Sequence, residues 1–315
     1  MSVAYKKSWR RNLLLLVSGM VLALGARGQN LKVTLLGTGS PQPAMDRFGP
    51  GILVEAGEKK LLFDCGRGVA QRIEQLGIPF ADIDALFLTH LHSDHIVGIP
   101  DLWLTGWVRG RRVPLEVWGP AGTRAMMTHL AEAYEFDIRI RQMDDKLPAQ
   151  GVAVAVNDIT QGVVYDEGGI KVTAFLVDHG VVKPALGYRV DFGGHSVVMS
   201  GDTRYSENLI RFSQNVDLLI HEVVDPATFR ARNPSMSAER VQAIVGHHTT
   251  PELAGTIFSQ VKPKLAVYSH IVPGSATDLV PLTRKTYSGL LEVGEDLMSF
   301  DIGKSVVVHR PVAVK

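Results

Sequence analysis

Cysteine is nearly absent from this chain of 315 residues: there is one, Cys65, in LLFDCGRG. No internal disulfide can form, so stability has to come from a hydrophobic core and from any bound metal. As a nucleophile Cys65 would need a base beside it, and its sequence neighbours supply none, so it reads as a buried structural residue. Long apolar runs are also lacking. Leu13–Ala26 has 14 residues, short of the ~20 that a membrane-spanning helix needs. Charge of one sign is lacking too: the formal net charge of +1 gives no global field to draw in a polyanion. Finally, no repeat, low-complexity tract or linker divides the chain after residue 30, which predicts a single domain.

What is present begins at the N-terminus. Lys6, Lys7, Arg10 and Arg11 precede the apolar run, and RGQN follows it. A basic segment, a short apolar segment and small residues at Ala26 and Gly28 predict a signal peptide over residues 1–28, cut before Gln29. The Arg10-Arg11 pair is a partial match to a twin-arginine signal. Cleavage would remove five basic residues and no acidic one, taking the net charge from +1 to −4. A periplasmic or secreted protein of that charge disfavours a nucleic-acid partner without excluding it. A homodimer stays open.

Along residues 29–315, β-branched runs alternate with helix-period segments, the pattern of an α/β fold. GILVEAGEKKLLFDCG predicts a hairpin about Gly57-Glu58, VAQRIEQLG a helix ending at Gly77, and the stretch from Val152 to Val190 a set of hairpins. Apolar strands end repeatedly in ionisable residues: Thr89-His90, Asp178-His179, Gly201-Asp202, His221-Glu222 and His270. In α/β folds strand ends gather along one edge, so these endings predict one site.

FLTHLHSDHIVGIPDL, Phe87 to Leu102, is the densest of them. His90 and His92 are two apart and project to one side of an extended chain, so both imidazoles can meet one ion. Asp94 and His95 follow where the chain turns into a helix, aimed at a different place. Imidazole and carboxylate donors suit zinc.

This stretch resembles the metal motif of the metallo-β-lactamase superfamily, an αββα sandwich with a two-metal site. The resemblance implies further ligands in order: His179 in LVDHG, Asp202 in MSGDT and His270 in VYSH. It implies His90, His92 and His179 on one zinc ion, Asp94, His95 and His270 on a second, and Asp202 shared. LLIHEVV and HHTTPELAG are similar to motifs of the ribonuclease Z and arylsulfatase-like branch, as are LLGTGSPQP and the closing RKTYSGLLEVGEDL. His248, with Thr250 and Ala254 at the motif's spacing, is the counterpart of the family histidine, with His247 the adjacent alternative. The catalytic set implied is Asp94, Glu222 and His248. Two bound ions would bring a shared water towards hydroxide at neutral pH, and Glu222 would hold His248 protonated for the leaving group.

Between His179 and Asp202 there is space for two strands and a turn, not for the arm often found in tRNA-cutting ribonuclease Z enzymes. With the leader, this favours an exported enzyme acting on a small anionic ester, a sulfatase or phosphodiesterase. A tRNA 3′-processing endonuclease, a lactone or β-lactam hydrolase and a non-catalytic or redox metal protein are the alternatives. Arg109, Arg111 and Arg112 beside Trp103 and Trp107 read equally as a rim for an anionic aryl group or as a solvated loop over core tryptophans.

Overall fold

A computed structural model describes Met1 and residues 31–273 and 279–311. The signal peptide expected over residues 1–28 therefore lies, apart from Met1, outside the described residues. Six strands come first: β1 (Leu31–Gly37), β2 (Gly51–Ala56), β3 (Lys59–Phe63), β4 (Ala85–Phe87), β5 (Leu115–Gly119) and β6 (Val154–Asp158). Seven follow: β7 (Gly162–Glu167), β8 (Ile170–Leu176), β9 (Leu186–Phe192), β10 (His195–Met199), β11 (Leu218–Val224), β12 (Leu265–Val272) and β13 (Leu291–Val293). The chain then returns through β14 (Ser299–Ile302) and β15 (Val306–His309). One sheet has the order β15-β14-β1-β2-β3-β4-β5-β6, the other β13-β12-β11-β10-β9-β8-β7. Both are mixed: β3 to β6 pair in parallel, as do β10 to β13, while the remaining ladders are antiparallel.

The hydrophobic pattern explains the layering. Val33, Leu35, Val54, Phe63, Phe87, Val172, Tyr188, Val190 and Ile220 form a core that draws on both sheets. Alternate residues of the same strands, such as Leu53, Leu62 and Leu86, pack instead with helical residues Val69, Ile73, Leu102 and Trp103. On the second sheet Phe175, Val198 and Leu219 pack with Ile257 and Phe258 of the helix Pro251–Val261. Strands with apolar residues on both faces need cover on both, and the result is helix, sheet, sheet, helix. This is the αββα sandwich, in one domain.

The Gly57-Glu58 hairpin is present, and Gly57 takes the left-handed conformation (φ 62°) that a tight turn asks of it. The helix Val69–Gln75 stops before Gly77 as expected. The Val152–Val190 segment is not a simple run of hairpins. β6 pairs in parallel with β5 and closes the first sheet, so the chain crosses to the other sheet before β7. Strand periodicity alone could not show that change of sheet, because each strand has the same local pattern.

Candidate active site

β4, β8, β10, β11 and β12 all run out towards one edge of the sandwich. The two sheets are tied there by Leu186 N–H donating to the Thr89 carbonyl at 2.9 Å, and by the Tyr188 hydroxyl donating to the Leu88 carbonyl at 2.6 Å. His90 therefore leaves β4 at a fixed height. Gly201, between β10 and Asp202, has φ 58°, and a Cβ there would stand 2.3 Å from the Leu186 carbonyl oxygen. Only glycine lets the chain turn so closely and aim Asp202 inwards.

His90, His92, His179 and Asp202 form one group with donor atoms close enough to share an ion, and Asp94, His95 and His270 form another. In the first, His90 Nε2 and His179 Nε2 each lie 3.8 Å from Asp202 Oδ2, and His179 Nε2 is 3.4 Å from His92 Nδ1. In the second, His270 Nε2 lies 3.3 Å from Asp94 Oδ2, and His95 Nε2 3.7 Å from the same oxygen. Asp202 joins the two groups: Oδ1 is 3.4 Å from His95 Nε2, and Oδ2 is 3.4 Å from His270 Nε2. All seven residues expected from the sequence are thus brought together.

The donor set fits divalent metal. His90 Nε2, His95 Nε2 and Asp202 Oδ1 are buried without a hydrogen-bond partner among the described residues. Unpaired buried polar atoms are costly, and a cation between them would satisfy all three. The opposite ring nitrogens are already engaged. His90 Nδ1 is 3.0 Å from Thr89 Oγ1, His179 Nδ1–H donates to the His247 carbonyl at 3.0 Å, and His95 Nδ1 is 2.8 Å from Asp64 Oδ2. Fixing one nitrogen fixes the ring and presents the other, as metal-ligating histidines require.

Asp64 is a functional residue that the sequence reading passed over in favour of its neighbour Cys65. Its carboxylate also accepts from Thr89 N–H and Thr89 Oγ1–H, each at 2.8 Å, so it holds the start of the motif and His95 together. The signal was available: LLFDC is another apolar strand ending in an acid. Cys65 is fully buried, and burial pushes its thiol well up, so it is inert as expected.

Electrostatics divide the histidines. Burial pushes His90 well below the usual imidazole value and His179 down to about 4, leaving neutral rings able to ligate. Burial works the same way on His95 and His270, but Asp202, reinforced by Asp64 at His95 and Asp94 at His270, outweighs it and raises both. Burial opposes ionisation of Asp202, yet the surrounding histidines hold its carboxyl well below the usual range.

Glu222 ends buried in β11. Its Oε1 accepts from Thr249 N–H at 2.9 Å and Thr203 N–H at 3.2 Å, and its Oε2 faces His248 Nδ1 at 3.3 Å. Burial disfavours charge on His248, but Glu222 prevails and raises it to about 9. His248 also forms a group with Asp202 and His270, so it stands beside the second metal position. His247 has no contact with Glu222 but faces the same opening. His221 is turned away, with Nδ1–H donating to the Glu222 carbonyl and its ring against Phe258.

The Arg109–Arg112 stretch does not line the site: the reading as a solvated loop over core tryptophans holds for Arg109 and Arg112, which are exposed, and needs correction at Arg111. Trp103 and Trp107 are buried on the helix Ile99–Val108. Arg111 is buried as well, 1% exposed, donating to the Phe80 carbonyl at 2.7 Å and standing 3.4 Å from that of Trp103. Arg109 pairs with Glu74, and Arg112 donates to the Arg111 carbonyl. Buried carbonyls, unseen in the sequence, recruit Arg111 inwards.

Comparison with known proteins agrees with this geometry. Residues 59–271 match the family of the beta-lactamase superfamily domain. The chain is 35% identical over 294 residues to a ribonuclease Z of Mycolicibacterium gilvum, spanning 90% of this chain and 99% of that protein. Among solved structures, the metallo-beta-lactamase fold protein YhfI of Bacillus subtilis superposes with a TM-score of 0.68 at 22% identity, over 87% of this chain and 99% of that one. Short-form human tRNase Z gives 0.65 at 22% identity, over 85% and 98%. The chain belongs to the ribonuclease Z branch of the metallo-β-lactamase superfamily and is a metal-dependent hydrolase of that fold.

Proposed function

We propose that the protein is a phosphodiesterase of the ribonuclease Z type, with the 3′ trailer of a precursor tRNA as the first substrate to test. The observation that carries this reading is the pair of ligand groups sharing Asp202, with His248 and Glu222 beside them, in a chain 35% identical to a ribonuclease Z along nearly its whole length. His90, His92 and His179 would hold one metal, Asp94, His95 and His270 the other, and Asp202 both; zinc suits these donors. When bound, the metals supply an acidified water and neutralise charge on the phosphoryl oxygens.

The chain's own groups do the rest. Asp94 and Asp202 are buried carboxylates that balance the cations. Glu222, fixed by two backbone N–H groups, keeps a proton on His248. His248 delivers that proton to the departing ribose oxygen, a poor leaving group that needs one. A sulfate ester could be cleaved by the same groups, but the relatives support phosphoryl chemistry, and the sulfatase expectation gives way to it.

One observation favours a smaller phosphodiester than tRNA. From His179 to Asp202 the chain makes only the tight hairpin β9–β10, turning at Gly193 and Gly194. No arm extends from it to grip a large RNA. The signal peptide expected over residues 1–28 would point the same way, since an exported enzyme would meet no precursor tRNA. Zinc-loaded protein should be given precursor tRNA, bis(p-nitrophenyl) phosphate, p-nitrophenyl sulfate, a lactone and a cephalosporin. Cleavage of the two phosphodiesters supports the main reading, and cleavage of the small one alone supports the second. A sulfate, lactone or lactam cleaved faster than both phosphodiesters refutes the assignment.

A further inference from the structure

Asp178 and Arg204 belong to neither ligand group, yet each stands next to a member of one. Asp178 precedes His179 on the loop between β8 and β9, and Arg204 is two residues past Asp202 on the loop that leaves β10. Arg204 Nε donates to Asp178 Oδ2 at 2.8 Å and Nη2 donates to Oδ1 at 3.0 Å, a two-pronged contact. The backbones join as well. Arg204 N–H donates to the Asp178 carbonyl at 2.9 Å, and Asp178 N–H donates to Thr203 Oγ1 at 3.2 Å. Asp178 Oδ1 also accepts from Gly180 N–H at 3.1 Å, so one carboxylate spans His179.

The two loops differ in what else holds them. The Asp202 loop is anchored to buried groups: Thr203 N–H donates to Glu222 Oε1 at 3.2 Å, and the Thr203 carbonyl accepts from Thr249 Oγ1–H at 2.6 Å. The His179 loop turns through Gly180 at φ 65° and runs on to Val181, which is 94% exposed. Val177 N–H to the Ala185 carbonyl and Val182 N–H to the His179 carbonyl close this loop on itself and tie it to nothing else. We propose that the Asp178–Arg204 pair is a latch that sets His179 against Asp202, and with it the affinity of the first ligand group for its ion. Both are positioning residues. The inference concerns metal retention and stands whichever ester is cleaved.

Charge alone predicts the opposite sign for one partner. A guanidinium near two cations repels them, so its removal would tighten metal binding, whereas loss of a latch loosens it. The side chains of Arg204 and Asp178 are 49% and 47% exposed, so solvent screens the repulsion, and the placement of His179 decides the outcome. An isolated surface ion pair contributes little. This one is two-pronged and backed by backbone bonds on the same two residues.

The test strips the full-length protein of metal and titrates it with zinc against a chromogenic chelator, so no substrate is needed. Arg204→Gln and Asp178→Asn should each weaken zinc binding at the first group by about tenfold, at the lower end of what losing a ligand's outer partner costs. Circular dichroism and the unfolding midpoint of the metal-free protein should stay near wild type. Arg204→Lys keeps the charge but one prong only, and should fall between. In a His270→Ala background, which leaves the first group whole, Arg204→Gln should cost the same; in a His179→Ala background it should cost nothing further. Tighter zinc binding by Arg204→Gln would mean that the guanidinium acts by charge alone, and would overturn the proposal. So would an equal loss in the His179→Ala background, or a lowered midpoint with zinc affinity intact in both single variants.

Discussion

His248 and Asp64 make the account's most exposed commitments about single residues. With its charge set by Glu222 and not by the metals alone, His248→Ala should keep its metal. Its turnover should fall by about 10²–10⁴-fold for esters with basic leaving groups, the usual contribution of a general acid. For a nitrophenyl ester the loss should shrink, because that leaving group hardly needs a proton. Glu222→Gln should show the same trend more mildly, and His247→Ala, whose side chain has no contact with Glu222, should retain the wild-type leaving-group dependence. Equal losses across leaving groups in a kinetic series would contradict the role. Asp64 is a positioning residue: it touches no reacting atom but bonds both Thr89 and His95. Asp64→Ala should weaken metal binding by about 10–100-fold, as loss of a ligand's outer partner typically does. Competition with a chromogenic chelator would show it, and unchanged affinity would sink the idea.

Among the elements, the first loop and the last strands are pinned by one buried carboxylate. Asp296 accepts from Thr38 N–H at 2.9 Å, Thr38 Oγ1–H at 2.8 Å, Phe48 N–H at 2.8 Å and the Arg72 guanidinium at 3.0 Å. The Thr38 carbonyl in turn accepts from Ile271 N–H at 2.9 Å, beside His270, which sits at φ 45°. Backbone held in the left-handed region needs outside support, and Asp296 provides part of it. Asp296→Ala should destabilise the fold by about 3 kcal/mol, since it takes the carboxylate from the half-buried Arg72 and leaves the buried Thr38 donors unpaired. Urea unfolding would measure it; a loss under ~0.5 kcal/mol would mean the loop is held by other contacts.

Elements also show what the sequence could reveal. Strands and their ionisable endings were legible, because alternation and abrupt polar stops are local properties. So was the Gly57-Glu58 turn. The crossing from β6 to β7 was not, since the choice of sheet depends on distant partners. The burial of Arg111 was hidden for the same reason, being decided by carbonyls of Phe80 and Trp103. The helix Ala238–Val245, which lines the cavity beside the ligand groups through Arg240 and Ile244, carries a mixed sequence with no fully buried residue and stayed unread. Only its Ser237 cap, accepting from Arg240 N–H at 3.2 Å, marked its start.

For the molecule as a whole, residues 1–28 pose the question of where it works. We propose export, from the basic and apolar order of that segment. Intact-mass measurement of the fractionated protein should find a chain beginning near Gln29 outside the cytoplasm; an uncut cytoplasmic chain would reject the signal and restore precursor tRNA as a natural substrate. The sandwich matters to the proposed chemistry because it brings strand ends from both sheets to one edge, where seven candidate ligands meet and Asp202 stands between the two groups. The most direct test is to strip the protein of metal and follow phosphodiester turnover while zinc is added back and bound metal is counted. The account predicts no turnover without metal, a rise that ends at about two ions per chain, and none at any loading for Asp202→Ala. Turnover without metal, or full turnover at one ion per chain, would contradict it.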